Sequence, residues 1–244
     1  MRLAGLTSSN LNGYLAAIGM LRLVDDLELH WDQGAAIVNR DPTDDLVGAI
    51  AERNYDPLLW ITAKTDGPPA QTLREKIRRN GMNAWVPGIY RPDGKPSGLN
   101  LMHMRNNPTG FVGNLIKVHA AAVKRGRDGI EEVLHGPWRY QDDVTSMRWD
   151  PASIKHESSH LGGKSPKDSP STSVAVAQLL AAEALPVVGP VGDTLELPVW
   201  SRPARLDIVR QRIIHSHGDG MVRWELAKYA NDNDAAFWRP ASYQ

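Results

Sequence analysis

The chain has 244 residues, 41% of them hydrophobic, with 28 Lys/Arg balanced by 28 Asp/Glu and no cysteine. That length and apolar content suffice for one large or two small domains with a buried core. The missing cysteines exclude disulfides, Cys-ligated zinc and thiol nucleophiles, and with no targeting segment in view a cytoplasmic protein is expected.

Ser8, Ser9 or Asn10 offers a cap for a first helix over Leu11–Val24, "LNGYLAAIGMLRLV". Its apolar side chains Leu11, Tyr14, Leu15, Ile18, Leu21 and Leu23 go nearly all the way round, and Arg22 is its one charge. It is shorter than the roughly 20 apolar residues of a membrane span. Gly13 and Gly19 each cost about 1 kcal/mol of helix propensity, so another element's backbone is expected to approach closely there. Leu27, Leu29 and Trp31 then alternate with polar residues, Gln33-Gly34 is a turn, and Ala36–Val38 can pair back as a hairpin.

"PTDDLVGAIAER" reads as a helix capped by Thr43, with two acids favouring its dipole. "PLLWITA" reads as a short strand, and "TLREKIRR" as a helix closed by Asn80-Gly81. Residues 81–110, rich in Gly, Pro and Asn, read as irregular. "FVGNLIKVHAAAVKR" and "RDGIEEVLHG" read as two consecutive helices, the second with Asp128 as cap and Gly136 past its end. A Ser/Gly/Pro-rich loop spans 156–173.

"VAVAQLLAAEAL" follows as a second almost wholly apolar helix, with Ser171 to Ser173 offering a cap and Pro186 ending it. "TLELPVW" is strand-like, and "SRPARLDIVRQRII" is a helix with Leu206, Val209 and Ile213 on one face and Arg202, Arg205 and Arg212 on another. The tail carrying Trp224 and Trp238 is read as helical, then frayed. The expected class is α+β: mostly helical, with an N-terminal β-hairpin, a small sheet, and the two apolar helices in the core. The division expected is an N-terminal α+β region, 1–155, and a helical C-terminal region, 156–244, with one continuous domain as the alternative. Eight tryptophans against two phenylalanines suit a core first, then interface anchors or base-stacking platforms.

Charge is segregated along the chain. Residues 71–127 hold eleven Lys/Arg against Glu75 and Asp93, a balance of +9, flanked by −5 over 1–70 and −4 over 128–154. Folded onto one face, Arg74, Lys76, Arg78, Arg79, Arg105, Lys117, Lys124, Arg125 and Arg127 would neutralise phosphates. Alternatively, the acidic neighbours pair with them.

Catalytic motifs are sparse. His156-Glu157-Ser158-Ser159-His160 matches the HExxH zincin spacing, but serines and following glycines replace the apolar helix that fixes the two rings. His215-x-His217-x-Asp219 has the look of half a zinc motif, with few residues after it to supply further ligands. There is no GxSxG elbow, no Walker A loop and no GxGxxG. Neither metal nor cofactor is expected. A metal-dependent hydrolase using 156–160 or 215–219 is the alternative to a binding protein.

The order "LNGYLAAIGMLRLVDD", a Trp-bearing hairpin "LELHWDQGAAIV" and "DDLVGAIAERNYDPLLWI" resembles the amino-terminal region of the large subunit of type I CRISPR effector (Cascade) complexes, subtype I-U/I-G branch, in a shortened form. "NNPTGFVGNLIKVHAAAV" is similar to that family's Asn/Gly-rich loop and helix, and "RWDPAS…HLGGKSPKDSPSTSVAVAQLLAAEAL" to its Gly loop feeding an apolar helix. The resemblance implies a non-enzymatic role. Such a subunit contacts guide RNA and backbone subunits, reads the motif beside a target double-stranded DNA, and helps recruit a helicase-nuclease. The first helix would then be packing, not site. Binding would lie in the basic 71–127 region and the 156–173 loop, through its cations together with Asn106, Asn107, Lys164, Ser165 and Lys167.

Overall fold

A computed structural model of the chain describes residues 1–56, 85–89, 91, 92, 97–100, 110–150, 152, 173–228 and 236–241. Within them the protein is an α+β fold with two antiparallel three-stranded sheets. The first strand, β1 (Arg2–Thr7), was not evident from the sequence, because Gly5 interrupts its alternation. α1 follows (Leu11–Leu23), and the Asn10 side chain caps it by accepting from the Gly13 N–H at 3.2 Å. The hairpin β2 (Leu29–Asp32) and β3 (Ala35–Val38) turns at Gln33-Gly34, both at positive φ, as a tight two-residue turn requires. β3 is central, with β1 and β2 on either side.

α2 (Thr43–Glu52) begins where expected, but Thr43 is its first residue and not its cap. The Asp41 carboxylate instead accepts from the Thr43 N–H at 2.9 Å and from its hydroxyl at 2.6 Å. A short α3 (Val86–Ile89) falls within the stretch expected to be irregular. α4 (Gly110–His135) breaks at Gly126, whose φ of 52° and ψ of −140° leave helical space. Its two halves are the two expected helices, and Gly136, at φ 67°, follows the second. The expected strand at "PLLWITA" and helix at "TLREKIRR" lie outside the described residues, as does most of the 156–173 loop.

α5 (Ala175–Glu183) is buried along its whole length. Val174 stands at its N-cap position, and Ser173, the described member of the expected capping group, does not cap it. The cap comes from elsewhere in the chain, since Asp142 Oδ2 accepts from the Ala175 N–H at 2.8 Å. Pro186 does not simply end the helix; it sits in the first turn of a short α6 (Leu185–Val188), where its missing N–H is no loss. β4 (Thr194–Val199) and α7 (Leu206–Ile214) follow.

The tail corrects the sequence reading. It is not helical: β5 (Gly220–Lys228) and β6 (Ala236–Pro240) extend β4 into the second sheet, with β5 central. Val222, Trp224 and Leu226 turn inward while Met221 and Arg223 stay exposed, a period of two hidden by the helix-favouring Glu225, Leu226, Ala227 and Lys228. Arg223 faces Glu196 and Arg239 faces Glu225 as cross-strand ion pairs.

The core is built on α1 against α5. Gly19 is the reason they can meet. A Cβ there would overlap the Leu180 carbonyl oxygen and lie 2.7 Å from its carbon. Around this pair, the free edge of β2 continues into 200–204 through Leu29–Ala204 and Trp31–Trp200 backbone hydrogen bonds of 2.8–3.0 Å. Tyr14 stacks on Trp31 at 4.9 Å and donates to the Pro198 carbonyl at 2.6 Å. Six tryptophans of the described residues (31, 85, 149, 200, 224 and 238) are buried, and four of these indoles donate to backbone carbonyls. Only Trp138 of the seven described is partly exposed, so the core reading of the tryptophans holds.

Candidate nucleic-acid interface

Of the residues singled out for phosphate or base contact, Arg74, Lys76, Arg78, Arg79, Arg105, Asn106, Asn107, Lys164, Ser165 and Lys167 lie outside the described residues. The remaining four sit on α4. Lys117 and Lys124 are exposed and seven residues apart. Two helical turns put them on one face, about 10 Å apart along the axis. Among the described residues neither forms an ion pair.

Arg125 and Arg127 have a different environment. Arg125 Nη2 donates to the buried Glu132 carboxylate at 2.5 Å, and its Nε lies 3.6 Å from Asp142. Arg139 closes the other side of Glu132 with side-chain bonds of 2.5 and 2.8 Å and a backbone bond of 2.6 Å. Arg127 pairs with Asp44, which raises its pKa, and lies 3.6 Å from Glu131. The acidic neighbours therefore take up these two cations. The break at Gly126 divides α4 into a first half with lysines outward and a second half with Asp128 and Glu131 outward.

The metal-like stretch is arranged for other bonds. Asp219 Oδ2 accepts from the Ser201 N–H at 2.7 Å and its hydroxyl at 2.6 Å, which holds its carboxyl below the usual range. The His215 ring lies 3.2 Å from Gln211 Oε1. Among the described residues no group of three or more His, Cys, Asp or Glu side chains gathers as a metal site. His156 to His160 lie outside them.

One cluster that sequence reasoning missed joins the two apolar helices. Glu183, the only charge of α5, is fully buried. It accepts from Arg22, the only charge of α1, from Tyr55, and from Arg53 at the end of α2 at 3.2 Å. Arg22 lies over the Trp85 ring at 5.3 Å. Burial and the like charges of Arg53 and Arg210 lower the Arg22 pKa to about 10. The signal was legible: a lone cation in one apolar helix and a lone anion in another, each needing a partner once buried.

A further buried carboxylate, Asp150, accepts from Tyr140 at 2.7 Å, the Ala152 N–H at 3.0 Å and Asn10 at 3.2 Å. Burial outweighs these bonds and raises its pKa. No family model matches the sequence, and no curated protein matches it either. Among the described residues no helix is long and apolar enough to cross a membrane.

Proposed function

We propose that this chain is a non-catalytic, cytoplasmic subunit of a CRISPR RNA-guided surveillance complex, contacting guide RNA and backbone subunits and helping to recognise target double-stranded DNA and to recruit a helicase-nuclease. The observation that carries the reading is the order of the segments resembling the large subunit of type I effectors: helix, Trp hairpin, helix, then the loop feeding a second apolar helix. It is supported by where those segments lie. α1, α2, the hairpin and α5 share one hydrophobic core, so the resembling pieces are parts of one packed unit. Lys117 and Lys124 of α4 add outward positive charge that forms no ion pair among the described residues.

Binding of labelled single-stranded RNA to the purified chain, measured across salt concentrations, tests this. Each phosphate contact contributes about −0.7 to the slope of log K against log salt. The double variant K117E/K124E is expected to bind more weakly and to flatten that slope by about 1.4. Failure of the unmodified chain to bind RNA or DNA at low salt contradicts the reading.

A further inference from the structure

The segment that follows α4, Gly136 to Tyr140, borders a surface hollow of about 300 Å³. Its floor is backbone. β1 presses so closely on the end of α4 that a Cβ on Gly5 would overlap the Val133 carbonyl oxygen and come within 2.9 Å of the Gly136 nitrogen. Trp138 and Tyr140 stand at its sides, with ring centroids 6.3 Å apart and planes at 60° to each other. Of the seven described tryptophans, Trp138 is the one the core does not bury.

Each of these rings is pinned by its polar tip. Trp138 Nε1 donates to the Val133 carbonyl at 3.2 Å, and the Tyr140 hydroxyl donates to Asp150 at 2.7 Å. Tyr140 also holds a left-handed backbone, φ 52°. That conformation is uncommon for a bulky residue, and strain of this kind collects at ligand sites. No carboxylate lines the hollow; its polar side chains are the exposed His135 and Asn10. Asn10 gives one amide N–H to Asp150 and keeps a second.

The volume is at the lower end of small-molecule pockets, about 300–1,000 Å³. It has room for one planar ring system and not for a helix or a duplex. Flat rings stack on indole and phenol faces, and a ring edge with its own donors and acceptors suits an imidazole and an amide. Across the same segment a second hollow carries Asp128 and Glu131, so phosphates are favoured on the Trp138 side.

We propose that this hollow is a stacking site for an unpaired nucleobase of a nucleic-acid strand. Trp138 is the platform, Tyr140 the side wall, and His135 and Asn10 meet the edge of the base. As a site on a strand it rests on the function proposed above; as a site for a nucleobase it does not.

Two probes separate these claims: a single-stranded RNA carrying one 5-iodouridine, and the 5-iodouridine nucleoside alone. Under ultraviolet light the iodinated base crosslinks to an aromatic ring it stacks on. Digestion of the full, irradiated chain should place the RNA crosslink on Trp138 or Tyr140. W138A should bind the RNA about tenfold more weakly. W138F keeps a ring and should lose only about two- to threefold. Both should leave the salt slope unchanged, since a stacked base releases no counter-ion. An RNA crosslink confined to other residues, or equal RNA affinity in W138A and the unmodified chain, overturns the site, while the function proposed above stands. A nucleoside crosslink at Trp138 or Tyr140 without RNA binding overturns the strand assignment and leaves a site for a free nucleoside. No crosslink at either ring from either probe overturns the site altogether.

Discussion

Replacing Gly19 by alanine should force α1 and α5 apart. The new Cβ would sit 2.7 Å from the Leu180 carbonyl carbon and 3.1 Å from Glu183 Cβ, and would overlap the Leu180 oxygen. Comfortable carbon–carbon contact needs about 3.5–4.0 Å, so the backbones must separate by about 1 Å. Overpacking a tight core costs about 1–3 kcal/mol where side chains can yield. Here the obstacle is backbone within a fully buried helix, so the cost lies at or above the top of that range. Alanine's better helix propensity returns about 1 kcal/mol, leaving a net loss of roughly 2 kcal/mol. Urea unfolding followed by tryptophan fluorescence reads this directly. With a slope of about 2–3 kcal/mol per molar, the midpoint should fall by about 0.7–1 M. Gly48→Ala is the control: nothing lies within 4 Å of its Cβ position in α2, and it should gain about 0.5–1 kcal/mol. A Gly19→Ala midpoint equal to or above the unmodified protein's would refute the close approach.

Other substitutions probe the remaining pieces. Glu183→Ala leaves Arg22 and Arg53 facing each other and should destabilise by about 3–5 kcal/mol, measured by the same titration. Asp150 is raised by burial, so the folded protein holds its proton more tightly than the unfolded chain. Its contribution is full below the ordinary value of 3.8 and is lost as pH rises through the raised value. Asp150→Asn should therefore flatten the fall in melting temperature above pH 3.8, and an unchanged profile would contradict the assignment. Asp41 has the opposite sign, because its bonds from Thr43 lower its pKa. Asp41→Asn should remove stability that is present above pH 3.8 and lost as pH falls through the lowered value, visible as a smaller acid-side drop in melting temperature.

Much of the packing was legible in the sequence and much of the polar chemistry was not. Two glycines in an apolar helix announced a close neighbour, and Gly19 has one. The hairpin was fixed by Gln33-Gly34, and the division of α4 by Gly126. What failed were inferences that needed partners far away in the chain. The cap of α5 is Asp142, 33 residues from the N–H it accepts, while adjacent serines advertised themselves. The tail's strands were concealed because residues of high helix propensity lie in β5, and its pairing with β4 and β6 overrode them. The basic stretch looked uniform in sequence, yet Arg125 and Arg127 face carboxylates that folding brings from 142 and 44. On α4, Lys117 and Lys124 keep their charge outward, with no ion pair among the described residues.

The most direct measurement is capture of the tagged chain from its native host at moderate salt, with sequencing of bound RNA and identification of bound proteins. Short RNAs of repeat-plus-spacer form, together with backbone subunits, are the predicted result. A solitary protein free of RNA would contradict the proposed role.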